Sequence, residues 1–297
     1  MSWILIAIFA YFLNAVVFVA DKFLVSKKVS SAAVYSFYVG ALSIFVLAFI
    51  PFGFFIPPLK ILLTALLSGV VFLFALYFFF IALLENEASR VAAIIGGLSP
   101  IFLLVLSAIF MKEFLQSREL LAFLLLLAGS LLICFGEKGL QVKVKKIGCA
   151  VFAAFLFAIS FFLTKLVYSQ QPFWNGFIWS RLGSFFAAFL LLIPRKNRSD
   201  VFRAKSSGKQ KKAGLMLVAN KALAGIHFVF LNWALSKGSA VLVNALQGIQ
   251  YAFVFLITLI FSIFFPKILR EDIDKVAVWK KICAILLIIA GIVVLNV

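Results

Sequence analysis

The chain has 297 residues, 65% of them hydrophobic and 13% charged, with a mean hydropathy of +1.19 and a formal net charge of +18. A soluble fold of this length has too little interior to hide so much apolar surface, so the composition excludes the soluble globular classes and places the chain in a membrane. The positive charge does not mark a nucleic-acid binder, because the basic residues lie in short stretches between apolar runs, which is a membrane-orientation pattern.

The first apolar run, at about 3–20, reads "WILIAIFAYFLNAVVFVA". It has neither a basic leader nor a clean cleavage site and is read as a retained helix. Asn14 is its lone mid-span polar residue, with Tyr11 a turn away. Further runs follow at about 33–51, 61–83, 91–111, 120–136, 147–167, 176–194, 213–235, 240–265 and 282–297. Most have the length that an α-helix needs to cross about 30 Å of hydrocarbon. The alternation of a membrane barrel strand is absent. The expected fold is therefore an all-α integral membrane protein with ten transmembrane helices and no soluble domain.

Four of the runs carry polar side chains in unexpected places. In the fourth, Ala88, Ala92, Gly96 and Ser99 form a small-residue face ahead of Pro100. Such a face suits close helix packing, or leaves room for a ligand beside a carbonyl freed by proline. Arg181 lies within the seventh run, and Asn220, Lys221 and the single histidine, His227, within the eighth. The ninth holds Asn244, Gln247, Gln250 and Tyr251, which fall on one arc at 100° per residue. Amides facing hydrocarbon cost several kcal/mol each, so that arc faces protein or water. It is either hydrogen-bond glue between helices or the wall of a cavity, and four groups on one arc favour the wall. The candidate lining is Tyr11, Asn14, Ser99, Arg181, Asn220, Lys221, His227, Asn244, Gln247, Gln250 and Tyr251. His227 is either a neutral imidazole bonded inside the bundle or a proton-sensitive, substrate-binding group.

The ten acidic residues fall in loops or at span ends. The buried ionisable groups are instead Arg181, Lys221 and His227, all potential cations. A cavity of that sign favours a carboxylate, phosphate or zwitterion over a lipophilic cation, whose exporters use a mid-span carboxylate. One histidine and no mid-span acid also leave an intramembrane enzyme without its usual groups, and no cofactor is expected. Cys134, Cys149 and Cys283 match neither a disulfide framework nor a metal site and are read as buried thiols. The stretches after runs 1, 3, 5, 7 and 9 hold 21 of the 28 basic residues, which by charge puts both termini outside the cell membrane. The densest, "RKNRSDVFRAKSSGKQKK" from Arg195 to Lys212, is read as a cytoplasmic loop beside anionic lipid.

Shifted by 143 residues, the chain matches itself. Lys22, Gly40 and Pro51 meet Lys165, Gly183 and Pro194. The match resumes at a shift of 152, where Ala88, Val91 and Gly96 meet Ala240, Val243 and Gly248, and a further ten-residue shift pairs Gly129 with Gly291. The repeats are assigned to 1–142 and 143–297. With five helices each, the second must enter the membrane upside down, which is a transporter design. The stretch from Ala82 to Gly136, with Ala88, Ala92, Gly96, Ser99-Pro100, Glu113 and Gly129, resembles the EamA repeat of the drug/metabolite transporter superfamily. "ALSKGSAVLVNALQG" and "LLIIAGIVVL" carry the resemblance into the second repeat, although Ala252 stands where the first has Pro100. The resemblance implies a secondary transporter, more an exporter than an importer, with cytoplasmic termini where the charge count gives the reverse. The expected cargo is a small polar metabolite such as an amino acid or organic anion, with protons as a possible coupling ion. A flippase for a lipid-linked or phosphorylated substrate is the alternative, and a non-transporting scaffold stands behind both.

Overall fold

In a computed structural model, residues 2–24, 31–86, 88–134, 147–203, 211–264 and 275–296 are described. Every regular element among them is helical. In chain order they are α1 (Trp3–Leu24), α2 (Ala32–Leu42), α3 (Leu59–Glu85), α4 (Ala88–Leu106), α5 (Ser117–Cys134) and α6 (Ile147–Tyr168). Then come α7 (Phe173–Leu190), α8 (Arg195–Arg203), α9 (Lys211–Lys237), α10 (Ala240–Ala245), α11 (Gly248–Phe264) and α12 (Lys275–Asn296). A 3₁₀ stretch, Ser43–Phe52, extends α2, and a π-helical turn, Ser107–Met111, extends α4.

Proline and glycine set many of the ends. Pro58 and Pro172 precede the first residues of α3 and α7, where an amide hydrogen would have no helical acceptor in any case. The 3₁₀ stretch contains Pro51 and stops at Gly53, whose φ of +121° carries the chain out of the helix. Pro100 is tolerated inside α4, at the cost of the hydrogen bond that the Gly96 carbonyl would otherwise accept.

Among the described residues, eight helices are long and apolar enough to cross a membrane, or nine if α7 and α8, bent by 101° at their junction, count as one. Ten were expected, and α9 accounts for part of the difference. It has 27 residues, about 40 Å of helix, but Asn220, Lys221, His227 and Asn232 lower its hydropathy, and the side chains of 211–218 lie outside the described residues. The expected loop after α7 begins instead with a helix, α8, while its remainder from 204 to 210 lies outside the described residues. The expected helix at 240–265 is broken at Leu246–Gln247 into α10 and α11.

The chain forms two compact units: Met1–Lys28, Glu113–Gln141 and Gly208–Val297 in one, and Val29–Lys112 and Val142–Ser207 in the other. In the first, α1 packs against α9 and α11, and α5 against α12 and α11. A Cβ at Gly129 would meet Ile288 and Ala284, and one at Gly291 would meet Leu126 and Ala122. The repeat offset maps each of these contacts onto the other. Residue number rises along α5 as it falls along α12, so the two helices run antiparallel.

In the second unit α3 is central, packing on α6, α7 and α2, while α4 lies on α6 and α8 on α2. The α3–α7 crossing brings backbones together at Gly69 and Gly183. Serines bridge it: the Ser68 hydroxyl lies 3.0 Å from that of Ser180, Ser184 donates to the Gly69 carbonyl at 2.9 Å, and Ser160 of α6 donates to the Ser68 carbonyl at 2.9 Å. Small residues with satisfied hydroxyls let helices approach where no hydrophobic effect drives them together.

Candidate functional site

Nine of the eleven candidate residues belong to the first unit, and the structure gathers most of them on α1. Asn220 and His227 are seven residues apart on α9 and reach two carbonyls seven residues apart on α1. Asn220 Nδ2 donates to Val17 O at 3.3 Å, and His227 Nδ1 lies 2.7 Å from Ala10 O. A carbonyl only accepts, so Nδ1 carries the hydrogen. The next residue on α1, Tyr11, has its ring centroid 6.5 Å from that of His227. One turn on, Asn14 Nδ2 donates to Gln250 Oε1 at 2.8 Å. Tyr11, Asn220, His227, Asn244 and Gln250 are buried, while Asn14, Lys221, Gln247 and Tyr251 are half-buried.

The break between α10 and α11 explains the hydroxyl of Tyr11. The Gln247 N–H bonds the Asn244 carbonyl at 3.1 Å, and those of Ile249 and Gln250 bond Leu246 and Gln247 at 2.9 and 3.0 Å, all three residues back rather than four. The Val243 carbonyl, which a continuous helix would offer to Gln247, instead accepts the Tyr11 hydroxyl at 2.8 Å. Gly248 opens α11, and a Cβ there would lie 2.9 Å from that of Ser130 on α5, so the break coincides with a close approach between helices. The change of phase also divides the expected polar arc. Asn244 sits on α10, Gln247 in the turn, and Gln250 and Tyr251 on α11, with Gln247 Nε2 donating to the Tyr251 hydroxyl at 3.2 Å. Asn244 Oδ1 is buried and meets no hydrogen-bond partner among the described residues.

The other two candidates, Ser99 and Arg181, belong to the second unit. Ser99 is buried on α4, and its hydroxyl meets no partner among the described residues. Arg181 lies at mid-length in α7, its guanidinium carbon 4.7 Å above the ring of Phe72, a cation–π contact that accommodates a charge away from water. Of Ala88 only the backbone is described. The cysteines are all free, but only Cys134 is buried. Cys149 is intermediate and Cys283 exposed, because Cys283 occupies the outward face of α12, where an apolar thiol can face lipid.

Sequence reasoning missed the freed Val243 carbonyl, since a backbone oxygen has no side-chain signature. The pair Gln247-Gly248 was the available signal, because glycine weakens a helix interior. It also missed the serine and glycine set between α3, α6 and α7, which apolar periodicity does not register.

The helices long and apolar enough to span define a multi-pass membrane protein. Residues 1–135 match the EamA-like transporter family, a family of membrane transporters of the drug/metabolite transporter superfamily. A protein of known crystal structure shares the fold, with a TM-score of 0.70 over 98% of this chain and 96% of that one at 17% identity. No curated protein matches the chain. EamA-like proteins are transporters rather than enzymes, which agrees with the reading of the acids and the histidine.

Proposed function

We propose that the chain is a secondary transporter, and by resemblance an exporter, that carries a small polar metabolite such as an amino acid or organic anion across the cell membrane by alternating access. Ten spans arranged as two five-helix repeats, inverted with respect to each other and with both termini outside, are part of this proposal. The inversion draws support from α5 and α12, which correspond in the repeat, run antiparallel and make reciprocal contacts. A two-fold relation produces such reciprocity.

The observation that carries the proposal is the broken helix at Leu246–Gln247. Transporters commonly bind substrate or coupling ion where a spanning helix is interrupted and backbone oxygens turn away from the helical pattern. Here the interruption frees the Val243 carbonyl beside Tyr11; Asn14 shares α1 with Tyr11, Gln247 sits in the break, Gln250 and Tyr251 follow it on α11, and His227 reaches α1 from α9. In this reading the eleven polar residues line the substrate pathway, with Arg181 and Lys221 supplying positive charge toward an anionic or zwitterionic cargo.

The test is uptake and counterflow in proteoliposomes, screened with amino acids, organic anions and sugar phosphates. His227→Ala and Gln247→Ala are compared with the parent. Transport of one class, impaired in both variants, is the expected result. Normal transport in both would refute the site while leaving the function. Indifference to every soluble solute, with scrambling of a phosphorylated lipid probe, would replace the proposal with the flippase.

A further inference from the structure

The helix α8, "RKNRSDVFR", has a face that the transport reading does not use. It follows α7 after a 101° bend; on the ten-span reading proposed above, on which this inference rests, α7 crosses the bilayer and α8 runs along the membrane surface. Its two sides differ. Asn197 and Val201, four residues apart, are buried toward α2, against which α8 packs, and Asn197 Nδ2 donates to the Leu191 carbonyl at 3.1 Å. Asp200, the helix's only acid, accepts a hydrogen bond from the Ser31 hydroxyl at 2.9 Å, so its charge is turned to the protein side. Arg195, Arg198 and Phe202 lie on the opposite side at spacings of three, four and seven residues, and all three are exposed, as is Lys196 on the flank. Phe202 is 74% exposed, and Ile193 in the bend 71%.

We propose that the Arg195, Lys196, Arg198 and Phe202 face of α8 is a docking surface for anionic phospholipid headgroups of the surrounding bilayer. Guanidinium and ammonium groups hold the phosphates, and Phe202 and Ile193 enter the acyl boundary. Charge complementarity decides the occupant. The face carries three cations and no acid, two of the cations are arginines with the fork that suits phosphate oxygens, and a large apolar side chain stands beside them as on interfacial helices. In the orientation proposed above, this end of α7 lies on the cytoplasmic side, where anionic lipid is concentrated. Three cations near such a surface correspond to roughly a hundredfold gain in local lipid partition.

The experiment is hydrogen–deuterium exchange over residues 195–202 of the full chain in nanodiscs. One set is neutral phosphatidylcholine and the other the same lipid mixed with phosphatidylglycerol. Exchange is expected to slow on the order of tenfold in the anionic discs. The effect should vanish in R195Q/K196Q/R198Q, and it should shrink in F202S, which keeps the charges. Exchange over α3 and α6 serves as the folding control in every variant. Equal rates in the two lipids would overturn the proposal and point to a protein partner for this face. Protection by inorganic phosphate alone in neutral discs would overturn it as well, because the bilayer would then have no part.

Discussion

Replacing Gly69 with alanine drives a methyl group into the Ser180 carbonyl and to 2.6 Å from the Ser184 nitrogen, and alanine at Gly183 meets the Leu66 carbonyl from the other helix. The obstructing atoms are backbone and cannot rotate aside, so α3 and α7 must part by about 1 Å or more to restore van der Waals distance. Overpacking of this kind costs about 1–3 kcal/mol. Parting also stretches the Ser68–Ser180 and Ser184–Gly69 hydrogen bonds, each worth about 0.6–1 kcal/mol in a membrane bundle. The expected destabilisation is about 3 kcal/mol for either variant. Added alanines at Gly148 and Gly225 meet nothing within 4 Å, so G148A and G225A should be neutral, or stabilising by up to about 1 kcal/mol through helix propensity. Thermal unfolding in detergent separates the groups, with G69A and G183A melting about 5–10 °C below the parent. The double variant G69A/G183A should cost less than the sum, because the first substitution has already separated the helices. Parental melting temperatures for G69A and G183A would refute the close α3–α7 crossing.

Tyr11→Phe removes the hydroxyl that satisfies the Val243 carbonyl, and thermal unfolding should show a loss of about 1–2 kcal/mol; no change would mean that the carbonyl finds another donor. In a double-mutant cycle of Asn14→Leu and Gln250→Leu, the coupling should be about 0.6–1 kcal/mol, and zero coupling would contradict the hydrogen bond at 2.8 Å. His227→Asn can still offer an N–H toward Ala10 O while His227→Leu cannot, so the asparagine variant should melt above the leucine variant. Among the thiols, Cys283 should react with N-ethylmaleimide in detergent well before Cys134, because the first is exposed and the second buried; mass spectrometry of timed samples reads the order.

The membrane class and most of the spans were legible because hydropathy is a sum over many residues and tolerates local error. The internal match read from sequence has a counterpart in the helix bounds. α3 and α9, both 27 residues long, begin and end at the 152-residue offset read from sequence. Local backbone events were not legible. The break at Leu246–Gln247 has no counterpart in α4, which stays helical through Gly96, the partner of Gly248 in the repeat. Pro100 was the conspicuous helix breaker, yet α4 continues through it, since one lost hydrogen bond does not end a helix held by its neighbours. The polar residues were found by type and face, and seven of them are hydrogen-bonded to α1, its neighbours or each other at the distances given above. Their acceptors, the carbonyls of Ala10, Val17 and Val243, are identical in chemistry to every other carbonyl and depend on how the helices cross. The turn of α8 was hidden because its residues score as a solvated loop when hydropathy is the only criterion.

The reciprocal seam of α5 with α12 gives the molecule a property of symmetric assemblies within a single polypeptide. A side chain placed at Gly129 and one placed at Gly291 strike the same contact from its two sides. One joint is thus vulnerable at two addresses far apart in the gene, and a compensating change for either would have to come from the other helix, distant in the sequence.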